Sequence, residues 1–186
     1  MNRTLLSLIF NMTYSVYHII FGAATHSWWF LTIGVYYAIL STVRFVVIHH
    51  KGKRGFVIRF TGIMLIMLSI SLIGTVILAF VKDRGTEFHL IVMLAIAVYA
   101  FIKMTLATIK WVKARKSASV KLLALRNISF SDAFVSIFSL QRPMLVSFEG
   151  MSANEIRIMN VATGSAVCII VFLLGANLLQ TRRHHI

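Results

Sequence analysis

Four charged side chains fall inside long apolar stretches of this chain: Arg44, Lys103, Asp132 and Arg142. An ionisable group at membrane depth costs about 2.5–3.5 kcal/mol on insertion scales, so it turns toward a bundle interior or water and finds a partner. Asp132 is the acid of the set. A carboxylate there suits an ion pair with Lys103 or Arg44, which keeps both partners charged. Plainer roles are also open. Arg44 lies near the end of its stretch, where its stem can snorkel to the headgroups. Lys103 lies deeper, where snorkelling is harder. Asp132 follows Asn127-Ile128-Ser129-Phe130-Ser131, a run that suits a helix start, where Asp or Ser caps free N–H groups.

Helical spacing places Asp132, Ser136, Ser139 and Pro143 on one stripe. Pro143 removes a backbone hydrogen bond and is expected to bend the helix. Broken helices at membrane depth occur where backbone lines a cavity or is buried in protein. Asn11, Tyr14 and His18 share a face of the first stretch, and Tyr36 and Tyr37 of the second can join them. Three buried cations against one acid describe an electropositive pathway, which favours an anionic solute. The candidate pathway or ligand residues are Lys103, Arg142, Asp132, Arg44, Asn11 and Gln141. Hydroxyl and amide groups also glue membrane helices together at roughly 0.6 kcal/mol each, so packing competes with function for every one of them.

Other chemistry is sparse. The seven histidines form no H-E-x-x-H pattern. His26 and His89 beside Glu87 come nearest to a metal site, without close ligand spacing. No metal or cofactor is expected. Cys168 lies in apolar company and reads as a small hydrophobe, and a single cysteine forms no intramolecular disulfide. Gly164-Ser165 does not complete G-x-S-x-G, and Walker and G-x-G-x-x-G loops are absent. With no paired carboxylates and no nucleophile–base pair, the chain does not read as an enzyme.

The elements that must carry these groups follow from composition. The 186 residues are 59% hydrophobic and 13% charged, with mean hydropathy +0.85, against about 25% charged residues in a soluble domain. The expectation is an all-α polytopic protein, a single integral membrane domain over residues 1–186. Six spans of about 20 residues lie near 5–24, 27–48, 60–81, 88–109, 128–148 and 158–179. The fifth is the weakest, and the number becomes odd if that segment is only re-entrant. Thirteen of the 19 Lys and Arg residues then fall on one side, and four of the five acids on the other. Short Lys/Arg-rich loops stay cytoplasmic, which orients both termini inward in a plasma (inner) membrane. Trp28-Trp29 and Trp111 fall at opposite surfaces, as an aromatic belt requires. The net charge of +14 lies beside the spans, which points to anionic lipid headgroups and the bilayer as partners, not nucleic acid.

The six spans divide into three helical hairpins. Residues 39–46 match 105–112 at an offset of 66, which suggests a parallel repeat of hairpins as in transporter folds or a shared apolar composition. Residues 117–127 read as a short interfacial helix or as a continuation of span four. Size and span count resemble the small substrate-capture subunits of vitamin-uptake transporters, whose motifs the chain lacks. The leading expectation is a small membrane transport protein, transporter or channel. The alternative is a non-transporting subunit or a lipid- or partner-binding protein, including a substrate-capture subunit of a larger transporter. A homo-oligomer or a partner membrane subunit fits either one.

Overall fold

The computed structural model describes the backbone of residues 2–24, 26, 28–49, 54–81, 90–115, 119–147 and 151–181, with a smaller set of side chains. Among the described residues there are six helices and no strand: α1 (Asn2–Ala24), α2 (Trp28–His49), α3 (Arg54–Val81), α4 (Leu90–Arg115), α5 (Val120–Ser147) and α6 (Ala153–Thr181). A helix satisfies its own N–H and C=O groups, which is what a chain this apolar needs away from water. Among the described residues, α2, α3, α5 and α6 are long and apolar enough to cross a membrane. Four such helices are consistent with an integral membrane protein.

Several boundaries differ from expectation. Helix α3 starts at Arg54, so Arg59 is helical and exposed. Helix α6 starts at Ala153 because Ser152 and Glu155 cap it reciprocally. The Ser152 N–H and Oγ both donate to Glu155 Oε2 at 2.8 Å, and the Glu155 N–H donates back to Ser152 Oγ at 3.3 Å, the arrangement of a capping box. The described part of the proposed interfacial segment, from Val120 onward, is neither a separate helix nor a continuation of α4 but the first turns of α5. Asp132 therefore lies twelve residues past the start of α5 and caps nothing. Helix α5 also runs unbroken through Pro143 to Ser147, so the expected break at Pro143 does not occur. At 28 residues it spans about 42 Å at 1.5 Å per residue, ample for a bilayer core of about 30 Å.

The packing corrects the hairpin scheme. Helix α1 packs on α2, and α5 on α6, as antiparallel neighbours would. Helices α3 and α4 do not pack on each other among the described residues. Instead α3 lies along α6, and α4 lies on α5. Glycines explain the first pairing. A Cβ at Gly175 would come within 2.9 Å of the Gly62 carbonyl oxygen, and one at Gly62 within 3.0 Å of the Gly175 carbonyl oxygen. The two backbones touch where a side chain would hold them apart, the usual device of membrane helix pairs. In the same way Gly34 admits α1, whose Ser15 Oγ donates to the Gly34 carbonyl at 2.8 Å. The two halves of the suggested repeat thus have different neighbours, although the matched cations Arg44 and Lys110 both reach α5.

Helix α5 is the centre of the arrangement. It packs on α2, α3, α4 and α6, and 61% of its apolar window is buried, against 33–50% for α2, α3 and α6. The core around it includes Tyr36, Tyr37, Leu40, Leu65, Leu68, Ile128, Val135, Phe138 and Val171.

Gly175→Ile is expected to lower thermal stability in detergent, at a cost of about 1–3 kcal/mol for overpacking. Gly74→Ala, where nothing lies within 4 Å of the added carbon, should leave the melting temperature unchanged. Equal melting of the two variants would refute the α3–α6 contact.

Candidate functional site

The polar groups expected along α1, α2, α4 and α5 converge on one carboxylate. Helical periodicity sets this up. Asn11, Tyr14 and His18 fall on one face of α1; Tyr37, Ser41 and Arg44 on one face of α2; Tyr99, Lys103 and Lys110 on one face of α4. Lys103 Nζ donates to Asp132 Oδ1 at 2.6 Å. Asn11 Nδ2 and Arg44 Nη2 donate to Asp132 Oδ2 at 2.8 and 3.3 Å. The side chains of Arg44, Asp132 and Lys103 are 1%, 4% and 11% exposed. Both alternative ion pairs suggested for Asp132 are therefore present together, and Arg44 is buried instead of snorkelling.

A shell of hydroxyls fixes the carboxylate's own turn. Ser136 Oγ donates to the Asp132 carbonyl at 2.7 Å and lies 2.9 Å from the Tyr37 hydroxyl. The Tyr36 hydroxyl lies 2.7 Å from Ser131 Oγ. One turn earlier, Lys110 Nζ donates to Ser129 Oγ at 3.1 Å. Tyrosine rings cover the ammonium of Lys103, with centroids of Tyr37 and Tyr99 at 4.5 Å and of Tyr14 at 5.6 Å. A cation over an aromatic face is worth about 2 kcal/mol or more when desolvated. Tyr14 and Tyr99 stack on each other at 5.3 Å, and Tyr14 meets Tyr37 edge-on at 4.9 Å. The first contact joins α1 to α4 and the second joins α1 to α2.

The cluster holds two cations and one anion. A guanidinium keeps its proton, so Arg44 balances an ionised Asp132 and Lys103 is the surplus, with Lys110 close by. Three buried polar atoms within this shell have no hydrogen-bond partner: Asn11 Oδ1, Ser41 Oγ and the Tyr99 hydroxyl.

Of the six candidates, Asp132, Lys103, Arg44 and Asn11 meet. Gln141 does not. It lies nine residues along α5 from Asp132, about 14 Å at 1.5 Å per residue, and its Nε2 donates to the Met159 carbonyl of α6 at 3.3 Å. The side chain of Arg142 lies outside the described residues, as do Glu87 and His89 of the suggested metal group. Among the described residues no group of three or more His, Cys, Asp or Glu side chains could hold a metal ion. Tyr99 and Lys110 were not anticipated as site residues, though Tyr99 lies one turn before Lys103, and its i, i+4 spacing is the signal that finds it. No protein-family model, curated protein or solved structure matches the chain.

Removing the anion should cost far more than removing one cation. Asp132→Asn strands Arg44 and Lys103 together and is expected to lose about 3–5 kcal/mol, the cost of breaking a buried pair. Lys103→Met leaves the Arg44–Asp132 pair balanced and should lose clearly less. Thermal unfolding of both variants in detergent checks the order, and the reverse order would contradict the charge count.

Proposed function

We propose that this chain is a small integral membrane transport protein, with six spans and both termini in the cytoplasm of a plasma (inner) membrane. An electropositive pathway bordered by α1, α2, α4 and α5 serves a small anionic solute. The observation that carries this reading is the surplus cation at Asp132. A bundle that needed only glue would gain more from a neutral pair, because every unbalanced charge at low dielectric is costly. An excess positive charge at the convergence of four helices is suited to meeting a negative one. Lys103 is the most exposed member of the ion cluster, at 11%, and so the one nearest to an approaching solute. Conduction requires that such a cation bind weakly enough to release, and its contact with Asp132 supplies competition for the incoming anion. The six-span, both-ends-in arrangement rests on helix length and on the distribution of cations. Helices α1 and α4, at 23 and 26 residues, have the length to cross at about 1.5 Å per residue.

The tight closure around Arg44 and Asp132 favours a second reading. In it the cluster locks four helices in register, and the chain is a non-transporting subunit or a lipid- or partner-binding protein, including a substrate-capture subunit. Anionic lipid at the basic surface fits both readings.

Liposomes carrying the purified chain are expected to pass at least one of chloride, phosphate and pyruvate. Lys103→Ala should slow that flux roughly ten- to hundredfold, the worth of a charge-assisted hydrogen bond of about 1.5–3 kcal/mol, and Arg142→Ala should slow it as well. Equal flux in both variants overturns the assignment. Absence of all flux, with a stoichiometric membrane partner in native pull-downs, establishes the second reading in its place. For topology, green fluorescent protein fused to either end should fluoresce, and alkaline phosphatase there should be inactive. Active phosphatase at either end refutes the orientation.

A further inference from the structure

Asp132 occupies a seat whose donors all come from other helices: an amide from α1, a guanidinium from α2 and an ammonium from α4. We propose that this seat is a carboxylate-binding site and that Asp132 is its resident plug. A small monocarboxylate takes the plug's place when Asp132 is protonated, so one carboxylate and one proton move together. This rests on the transport reading above and specifies its substrate class and its coupling.

The first argument is shape. Donors engage both oxygens of a planar, two-oxygen anion, Lys103 on one and Asn11 with Arg44 on the other. Charge-assisted contacts of this kind are the strong ones. Around Lys103 the remaining directions are taken by the faces of Tyr37, Tyr99 and Tyr14. An aromatic face is the negative side of the ring, so it repels the further oxygens of phosphate or sulfate.

The second argument is charge. With Asp132 ionised, the cluster carries one positive charge in excess. With Asp132 neutral and a monocarboxylate in the seat, it carries the same excess, so loading does not change the buried charge. Two ionised carboxylates about 4 Å apart would instead repel by about 4 kcal/mol at an effective dielectric constant of 20.

The third argument is an acceptor already in place. A neutral Asp132 needs a partner for its O–H. Asn11 is fully buried, its Nδ2 lies 2.8 Å from Asp132 Oδ2, and its Oδ1 has no partner. A neutral Asp132 that moves from Nδ2 to the Oδ1 of the same amide donates its O–H there and leaves Nδ2 to the incoming carboxylate.

The charged and titratable groups around Asp132 are consistent with it being the switching group. Helix α1 contributes Tyr14 and His18, the latter bonded to the Tyr14 carbonyl. Helix α2 contributes Tyr36, Tyr37 and Arg44, and α4 contributes Tyr99, Lys103 and Lys110. Helix α6 contributes Cys168, which is buried. On α3, Arg59 is exposed, and on α6 Glu155 is exposed. Among these described groups Asp132 is the one buried acid whose charge can stand in for a bound carboxylate. Loading forms an O–H bond on Asp132 with a proton from the water on the entry side. Unloading breaks that bond and releases proton and carboxylate to the other side, so no net charge crosses. Helix α4 has α5 as its one backbone neighbour among the described residues, and moving it parts Lys103 from the seat with the least packing to disrupt.

The test uses the full chain in liposomes loaded with a pH-sensitive dye, offered pyruvate, glycolate and gluconate in turn. At least one is expected to enter, to acidify the lumen as it does so, and to enter severalfold faster when the outside is made more acidic. Clamping the membrane potential should not alter the rate. Asp132→Asn should lose the acceleration by acid and the lumen acidification that accompanies carboxylate entry. Asn11→Leu, which keeps the ion pairs, should blunt that acceleration. Carboxylate entry without lumen acidification, or acid-driven uptake in Asp132→Asn, overturns this proposal and leaves the transport reading standing. Entry of chloride or phosphate with none of the carboxylates does the same. No flux of any anion overturns the transport reading itself.

Discussion

A carboxylate inside an apolar bundle stays ionised only if donors replace the water it has lost, and Asp132 gathers three of them from three different helices. Helix α5 does not supply them itself, because the positions three and four residues from Asp132 are Ile128, Ser129, Val135 and Ser136. The requirement therefore dictates tertiary arrangement. Helices α1, α2 and α4 must each present one polar residue at the depth of Asp132. The hydroxyls of Tyr37 and Ser136 then hold the turn that carries it.

The rest of the packing follows from that centre. Helix α5 is the least apolar of the four described helices that can cross a membrane, and it is also the most enclosed. Ser129, Ser131, Asp132 and Ser136 are met by side chains of α1, α2 and α4, and α5 also packs on α3 and α6. Helix α4 is held differently from the others. It leans on α5, and cations and tyrosine rings carry its link to α1. The α3–α6 and α1–α2 pairs, by contrast, are closed by backbone approach at glycines, which leaves α4 as the helix joined to α1 through polar and aromatic side chains. A solute pathway, if it runs beside Asp132, uses the helix whose contacts are exchangeable.

Much of the centre was legible in the residues. Charge inside the apolar stretches is scarce and needs partners, so a pairing of Asp132 with Lys103 or Arg44 was legible as one alternative beside a helix cap and snorkelling. Asn11 and the Tyr14–His18 face were legible through periodicity. The cap role for Asp132 failed because the run 120–131, which carries Lys121, Arg126 and Asn127, looks like a loop or surface helix in isolation but continues into α5. Gln141 lies apart from the cluster for a different reason. A shared helix says nothing about shared depth, and about 14 Å of rise separates it from the cluster.

Composition and the placement of cations were enough for class: long apolar helices, an orientation to expect, and an acid that needs partners. These are properties of single segments, summed along the chain. Which helices became neighbours was another matter. Among the described residues α3 lies along α6 and α4 on α5, where an α3–α4 hairpin was expected, because backbone approach at Gly62 and Gly175 and the reach of Lys103 and Lys110 depend on how two surfaces meet. Surplus charge, tyrosine cover and the unpartnered oxygen of Asn11 are likewise features of the meeting place, fixed only once depth and rotation of every helix are set against the others.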